Sequence, residues 1–190
     1  MLAQKLRCMH SKIEKYFRRI ESNKEYYDAL LKVFNPVQLA FKPTPESWSM
    51  MEVMHHLYTS EKLSINFVKN FDFSRKDVKL GLKSRLNTIL VVNRLNSKKK
   101  FKAPKVLEQS KGKFDLSPDA EVFLDQWNQL REEMRSVLSS YPDEKLNYFS
   151  FNHPAVGKMT VTQMLEFFNS HLNHHKYQIE AINHHKDFPV

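Results

Sequence analysis

Apolar residues recur through most of this chain at intervals of three and four, the period of a helix with one buried face. The first such stripe runs from Leu2 to Phe34, through Leu6, Met9, Ile13, Phe17, Ile20, Tyr27 and Leu31. It lapses between Ile20 and Tyr27, where Ser22 and Glu25 have the spacing of a capping box, so a kink or restart is expected there. Asn35-Pro36 should stop the helix, because proline disfavours helical geometry in the residue before it. Two further prolines make 41–47 an extended connector. A second helix is predicted from Ser49, with Glu52 closing a capping box, through Val53, Leu57, Ile65 and Val68 to about Asn70.

The middle of the chain is less regular. Leu82, Leu86, Ile89, Leu90 and Val92 supply an imperfect apolar face to a helix over about Leu80 to Leu95, and a Lys-rich stretch with Pro104 follows. Ser117-Pro118 reads as a helix start. From Ala120 through Phe123, Trp127, Leu130, Met134 and Leu138 the period then holds until Pro142. A loop containing His153-Pro154 and Gly157 leads to Thr160, which with Gln163 makes a third capping box and opens the last helix, to Asn183. Four long helices with one apolar stripe each predict an all-α protein, a four-helix bundle with a long crossover connection between helices 2 and 3. At 190 residues one domain, 1–190, accommodates them.

Composition supports this and narrows the setting. Only 3 glycines interrupt the chain, and the one cysteine, Cys8, cannot form an internal disulfide, which fits a reducing compartment. The N-terminus lacks the apolar core of a signal peptide, and no run approaches a membrane span, so a cytoplasmic protein without a membrane partner is expected. The net charge of +9 raises the question of nucleic acid. Most of it lies in one connector, residues 94–113, while the helices are nearly neutral, and aromatic residues for base stacking are sparse there. Nucleic acid is therefore the weaker expectation.

The chemistry is in the last helix. His171, His175 and Gln178 fall on the same stripe as Leu165, Phe168, Leu172 and Ile179, so two imidazoles one turn apart point inward. In the second helix His55 and His56 lie about 100° apart, and His56, beside Leu57 and one turn after Val53, takes the apolar side. Three inward histidines are costly to desolvate unless their nitrogens are satisfied, and a divalent ion satisfies them together. Three neutral ligands leave the ion its full charge and an open position, able to activate water or a thiol. Imidazole suits zinc or nickel first, with ferrous iron or manganese as further choices. Glu52, one turn before His56, and Gln178 are candidates to orient a ring or position substrate. His153 and Glu61 are weaker ones.

Trp48-Ser49 with Glu52 and His56-Leu57, then His153-Pro154 through Gly157 to Thr160, then His171, His175, Gln178 and Ile179, occur in the order and spacing of a known family. The chain resembles the DinB-like superfamily, which includes the bacterial YfiT-type metal-dependent hydrolases. The resemblance implies a four-helix bundle, often a homodimer, with a divalent metal on His56, His171 and His175. Relatives with assigned activity include thiol-dependent S-transferases, so it also implies a small-molecule substrate, in one case a low-molecular-weight thiol. An enzyme of this kind, transferase or hydrolase, is the leading expectation. The alternative is a non-catalytic binding protein that uses the 94–113 connector to engage an acidic partner or nucleic acid.

Overall fold

The computed structural model describes residues 8–72, 78–97, 116–153 and 156–190. Most of the Lys-rich connector, with Phe101 and Pro104, lies outside the described residues, as do Leu2 and Leu6 of the first predicted stripe. The described chain is mostly helical.

Helix α1 (Ser11–Val33) starts at His10, whose ring accepts the Lys12 N–H. It begins at Ser11, later than the expected stripe from Leu2, and runs unbroken past Ser22, so the helix does not restart there. Its buried stripe is Ile13, Phe17, Ile20, Lys24, Tyr27 and Leu31, so a lysine stands where the apolar pattern lapsed. The Lys24 ammonium is held by Asp28 and Asn128 and lies over the Trp127 ring, which lets a charged side chain keep a core position. Asn35-Pro36 ends α1 and also begins a one-turn helix, α2 (Pro36–Ala40), because Asn35 and Gln38 form a capping box around a proline at the first helical position.

Helix α3 (Met50–Lys69) has the predicted cap: Ser49 accepts the Glu52 N–H, and the Glu52 carboxylate accepts the Ser49 N–H. Helix α4 (Leu82–Leu95) agrees with the predicted span, yet it turns Thr88 inward and leaves Leu82, Leu86 and Leu90 exposed. The Thr88 hydroxyl donates to the Ser84 carbonyl, so this small polar residue can be buried where α4 lies on the body. Helix α5 (Ala120–Ser139) begins two residues later than Ser117-Pro118 suggests. Asp119 is the cap, its carboxylate accepting the Glu121 and Val122 N–H groups, and a charge there also meets the positive end of the helix dipole.

Residues 142–159, expected as loop, hold a 3₁₀ turn (Asp143–Lys145) and a small antiparallel hairpin, β1 (Phe151–His153) with β2 (Gly157–Met159), in the register Phe151 to Met159. Strands of three residues are too short to show alternation, which hid them. Helix α6 (Val161–Asn183) follows from the Thr160 and Gln163 capping box.

Helix α1 packs on α6 and α5, and α3 packs on the same two, while α4 lies on α6 and β2. The core between them holds Phe17, Tyr27, Phe123, Trp127 and Phe168. The Tyr27 hydroxyl donates to the Leu172 carbonyl at 2.5 Å and so fixes the height of α6 against α1. A buried ion pair, Arg131 to Glu61 at 2.7 Å, ties α5 to α3, and the Trp127 indole donates to the same carboxylate. These contacts set α3 and α6 side by side with their histidines facing each other.

Candidate metal centre

Three imidazoles meet between α3 and α6. His56 Nε2 is 3.0 Å from His171 Nε2, and His175 Nε2 is 3.0 Å from the same atom. One nitrogen from each ring lies within 4.8 Å of the other two. His171 and His175 are buried and His56 partly so. On α3 the cap at Ser49 fixes the helix start, and seven residues on, two turns, His56 faces α6.

The protonation chemistry of this cluster is constrained. Gln178 Oε1 lies 2.8 Å from His175 Nδ1, and since a carbonyl oxygen only accepts, Nδ1 carries the proton and Nε2 presents a lone pair to the cluster. His171 Nε2 faces two nitrogens, and one N–H there can be aimed at one neighbour, not both. Burial first, and then the neighbouring imidazoles, hold His171 well below the usual histidine range and bring His175 down to about 3. His171 and His175 are therefore neutral at physiological pH, the form that ligates metal.

This donor set fits a divalent ion. A tetrahedral ion with metal to nitrogen bonds of about 2.0–2.1 Å separates its ligand nitrogens by about 3.4 Å, so small movements from the observed spacing would admit one.

The family model of the DinB superfamily matches residues 19–179, a span that contains all three histidines and Gln178. The chain belongs to the DinB superfamily. No curated protein and no solved structure matches it.

Other residues singled out in this DinB-superfamily chain take varied places. Glu52 is engaged in the α3 cap through one oxygen and with Lys42, at 2.7 Å, through the other. His55 packs edge-on to Phe123 and meets the Ser117 carbonyl at 3.0 Å, while His174 Nδ1 meets the Leu95 carbonyl at 2.9 Å. The sequence neighbours of His56 and His175 thus pin the two described edges of the Lys-rich connector. His153 accepts the Val156 N–H across the hairpin turn and packs on Phe167, and burial brings its pKa down to about 4. Glu61 belongs to the Arg131 pair and not to the histidines.

Two aromatic walls were missed. Trp48 lies 5.0 Å from His56, centroid to centroid, and nearly parallel to His175, with 9° between the planes. Phe167 stacks on His171 at 5.2 Å and 27°. Phe167 is four residues before His171, a spacing that places neighbours on one helix face and was available in the sequence. Trp48 precedes the α3 cap, and only the packed structure brings it over the rings.

Proposed function

We propose that this DinB-superfamily protein is a metal-dependent enzyme acting on a small molecule, with His56, His171 and His175 as the ligands of one divalent ion. The observation that carries the reading is the convergence of three Nε2 atoms, two of them on buried rings, with His56 and His175 each 3.0 Å from His171. Zinc or nickel suits three imidazoles best. Bound there, the ion would supply Lewis-acid activation of water or of a thiol at the coordination position that three protein ligands leave free. The finer architecture we propose is the four-helix bundle, formed by α1, α3, α5 and α6, with a long crossover between α3 and α5.

The chain's own residues define what that ion would meet. Gln178 holds His175 in the tautomer that offers Nε2. Trp48 and Phe167 lay aromatic faces against the imidazoles, limiting water around them and favouring a substrate with an apolar part. Three imidazoles make a ligand set that carries no charge of its own. A neutral set keeps the ion strongly electrophilic, which suits capture of an anionic nucleophile, and thiol S-transfer is the form of this reading we favour over hydrolysis.

The test is elemental analysis of protein without an affinity tag, beside His56→Ala and His171→Ala. One divalent ion per chain, absent from both variants, is the expected result. The loaded protein would then be assayed for thiol consumption with electrophilic acceptors and for ester or amide hydrolysis. A wild type that carries no metal and takes up neither zinc, nickel nor manganese would overturn the proposal.

A further inference from the structure

Helix α4 packs Val91 and Leu95 against the core but carries four other large aliphatic residues on its outer side. Leu82 is 78% exposed, Leu86 59%, Ile89 42% and Leu90 67%. At about 100° per residue these four occupy an arc of roughly 100° on one face. Lys83 and Arg94 border that arc on one side and Arg85 on the other, all three exposed, and no acidic residue occurs from Leu82 to Leu95. Asn93, exposed in the same arc one turn on, ends the apolar run. An exposed ridge of four large aliphatic side chains is unusual on a free surface and marks a contact site.

The helix is also held flat. Its inner face buries Thr88, the Ser84 hydroxyl donates to the Lys158 carbonyl, and His174 takes the Leu95 carbonyl at the far end. The ridge, from Leu82 to Leu90, is therefore a convex, fixed feature roughly 12 Å long. Its charge selects the occupant. A second copy packed ridge to ridge would set cations against cations on both flanks, whatever the direction of the helices. A surface of negative charge with a yielding apolar interior matches both the leucines and the bordering cations, which can extend along the ridge with their heads at the polar level. The +9 of the whole chain adds long-range attraction to such a surface.

We propose that α4 docks on an anionic lipid surface, with Leu82, Leu86, Ile89 and Leu90 at the acyl boundary and Lys83, Arg85 and Arg94 among the headgroups. The protein lies on the membrane and does not cross it: no helix among the described residues is long and apolar enough to span one. This departs from the sequence expectation of no membrane partner, which rested on the absence of a span. Recruitment of this kind is independent of the histidine centre.

The experiment is vesicle flotation of the full chain. Wild type should float with vesicles of phosphatidylcholine containing phosphatidylglycerol and stay behind with phosphatidylcholine alone. The double variant Leu86→Gln with Leu90→Gln keeps every charge, and removing that much apolar burial should weaken binding about tenfold or more. Circular dichroism on the variant would establish that its helices persist, as expected for exposed positions. Equal flotation of wild type and double variant would overturn the proposal, leaving only diffuse basic attraction. So would a wild-type dimer in sedimentation velocity that the double variant abolishes, which would give the ridge to a second copy. Absence of flotation at low salt would overturn it too and turn attention to a protein groove rimmed with carboxylates.

Discussion

Gln178 accepts the Nδ1–H of His175 at 2.8 Å from three residues further along the same helix. That bond decides which nitrogen of His175 faces His171 and His56. Replacing the amide with an apolar side chain of similar size removes the acceptor and frees the ring to change tautomer. Gln178→Leu should lower metal affinity about 10–100-fold, while Gln178→Glu, which keeps an acceptor, should not. Competition against a chelator of known affinity measures both. Unchanged affinity in the leucine variant would show that the amide does not set the ring.

The buried imidazoles give the metal-free protein a defined acid response. His175 is brought down to about 3 and His171 well below its ordinary value of 6.5, both by burial first, so in the native state they stay neutral where the unfolded chain protonates. Between about pH 6.5 and 3 the unfolded state binds more protons, and stability rises with pH in that window. Their contribution is fully present above pH 6.5 and is lost as pH falls below it. Each group accounts for about 1.4 kcal/mol one unit below its unfolded pKa, so the pair should cost roughly 2–3 kcal/mol at pH 5.5. Urea unfolding of metal-free protein at pH 7.5 and 5.5 reads this difference. Equal midpoints would mean that the histidines are not buried as described.

Arg131 and Glu61 lie on different helices, are both buried, and share a 2.7 Å contact. Burial raises the Glu61 pKa, against the lowering pull of Arg131 and Trp127. Removing the cation leaves a carboxylate in the core that still accepts the Trp127 indole N–H but has lost its charge partner. Arg131→Met should destabilise by about 3–5 kcal/mol, and adding Glu61→Gln should recover a large part of it. Denaturant midpoints of the single and double variants would decide, and purely additive losses would argue against coupling.

Trp48 is placed to report occupancy. Its ring sits 5.0 Å from His56, whereas Trp127, the other tryptophan, is tied to Glu61. Titration with zinc should change the tryptophan emission, and the response should vanish in Trp48→Phe while persisting in Trp127→Phe. A response retained in Trp48→Phe would place the bound ion elsewhere.

Gly157 opens β2 at a φ of +83°, and a Cβ built there would meet nothing within 4 Å. Any penalty for Gly157→Ala is then conformational, about 1–2 kcal/mol, without a steric part. A thermal unfolding scan tests it, and a loss well above that range would point to crowding.

Much of this architecture was readable in local chemistry. The caps at Ser49 with Glu52 and Thr160 with Gln163 involve groups three residues apart, so their partners are already neighbours along the chain. The choice of His56 over His55, and the shared face of His171 and His175, follow from helical phase alone. The errors arose where a remote group changed the value of a position. Lys24 filled the gap in the α1 stripe only because Asp28, Asn128 and Trp127 receive its ammonium, and two of those three belong to α5. Asp119 displaced Ser117 as a cap because a carboxylate answers the helix dipole more strongly than a hydroxyl.

By itself, then, the sequence determined the caps that open α3 and α6, the proline that closes α1, and which histidines share a buried face, since these depend on residues within a turn or two of one another. Tertiary structure alone decided that His56 and His175 each lie 3.0 Å from His171, that Trp48 closes over them, and that α4 turns Leu82, Leu86 and Leu90 to solvent. Those outcomes require the relative placement of α3, α4 and α6. Contacts such as Tyr27 to Leu172 and Arg131 to Glu61, between groups 145 and 70 residues apart, help to set that placement, and no local pattern encodes a distance of that kind.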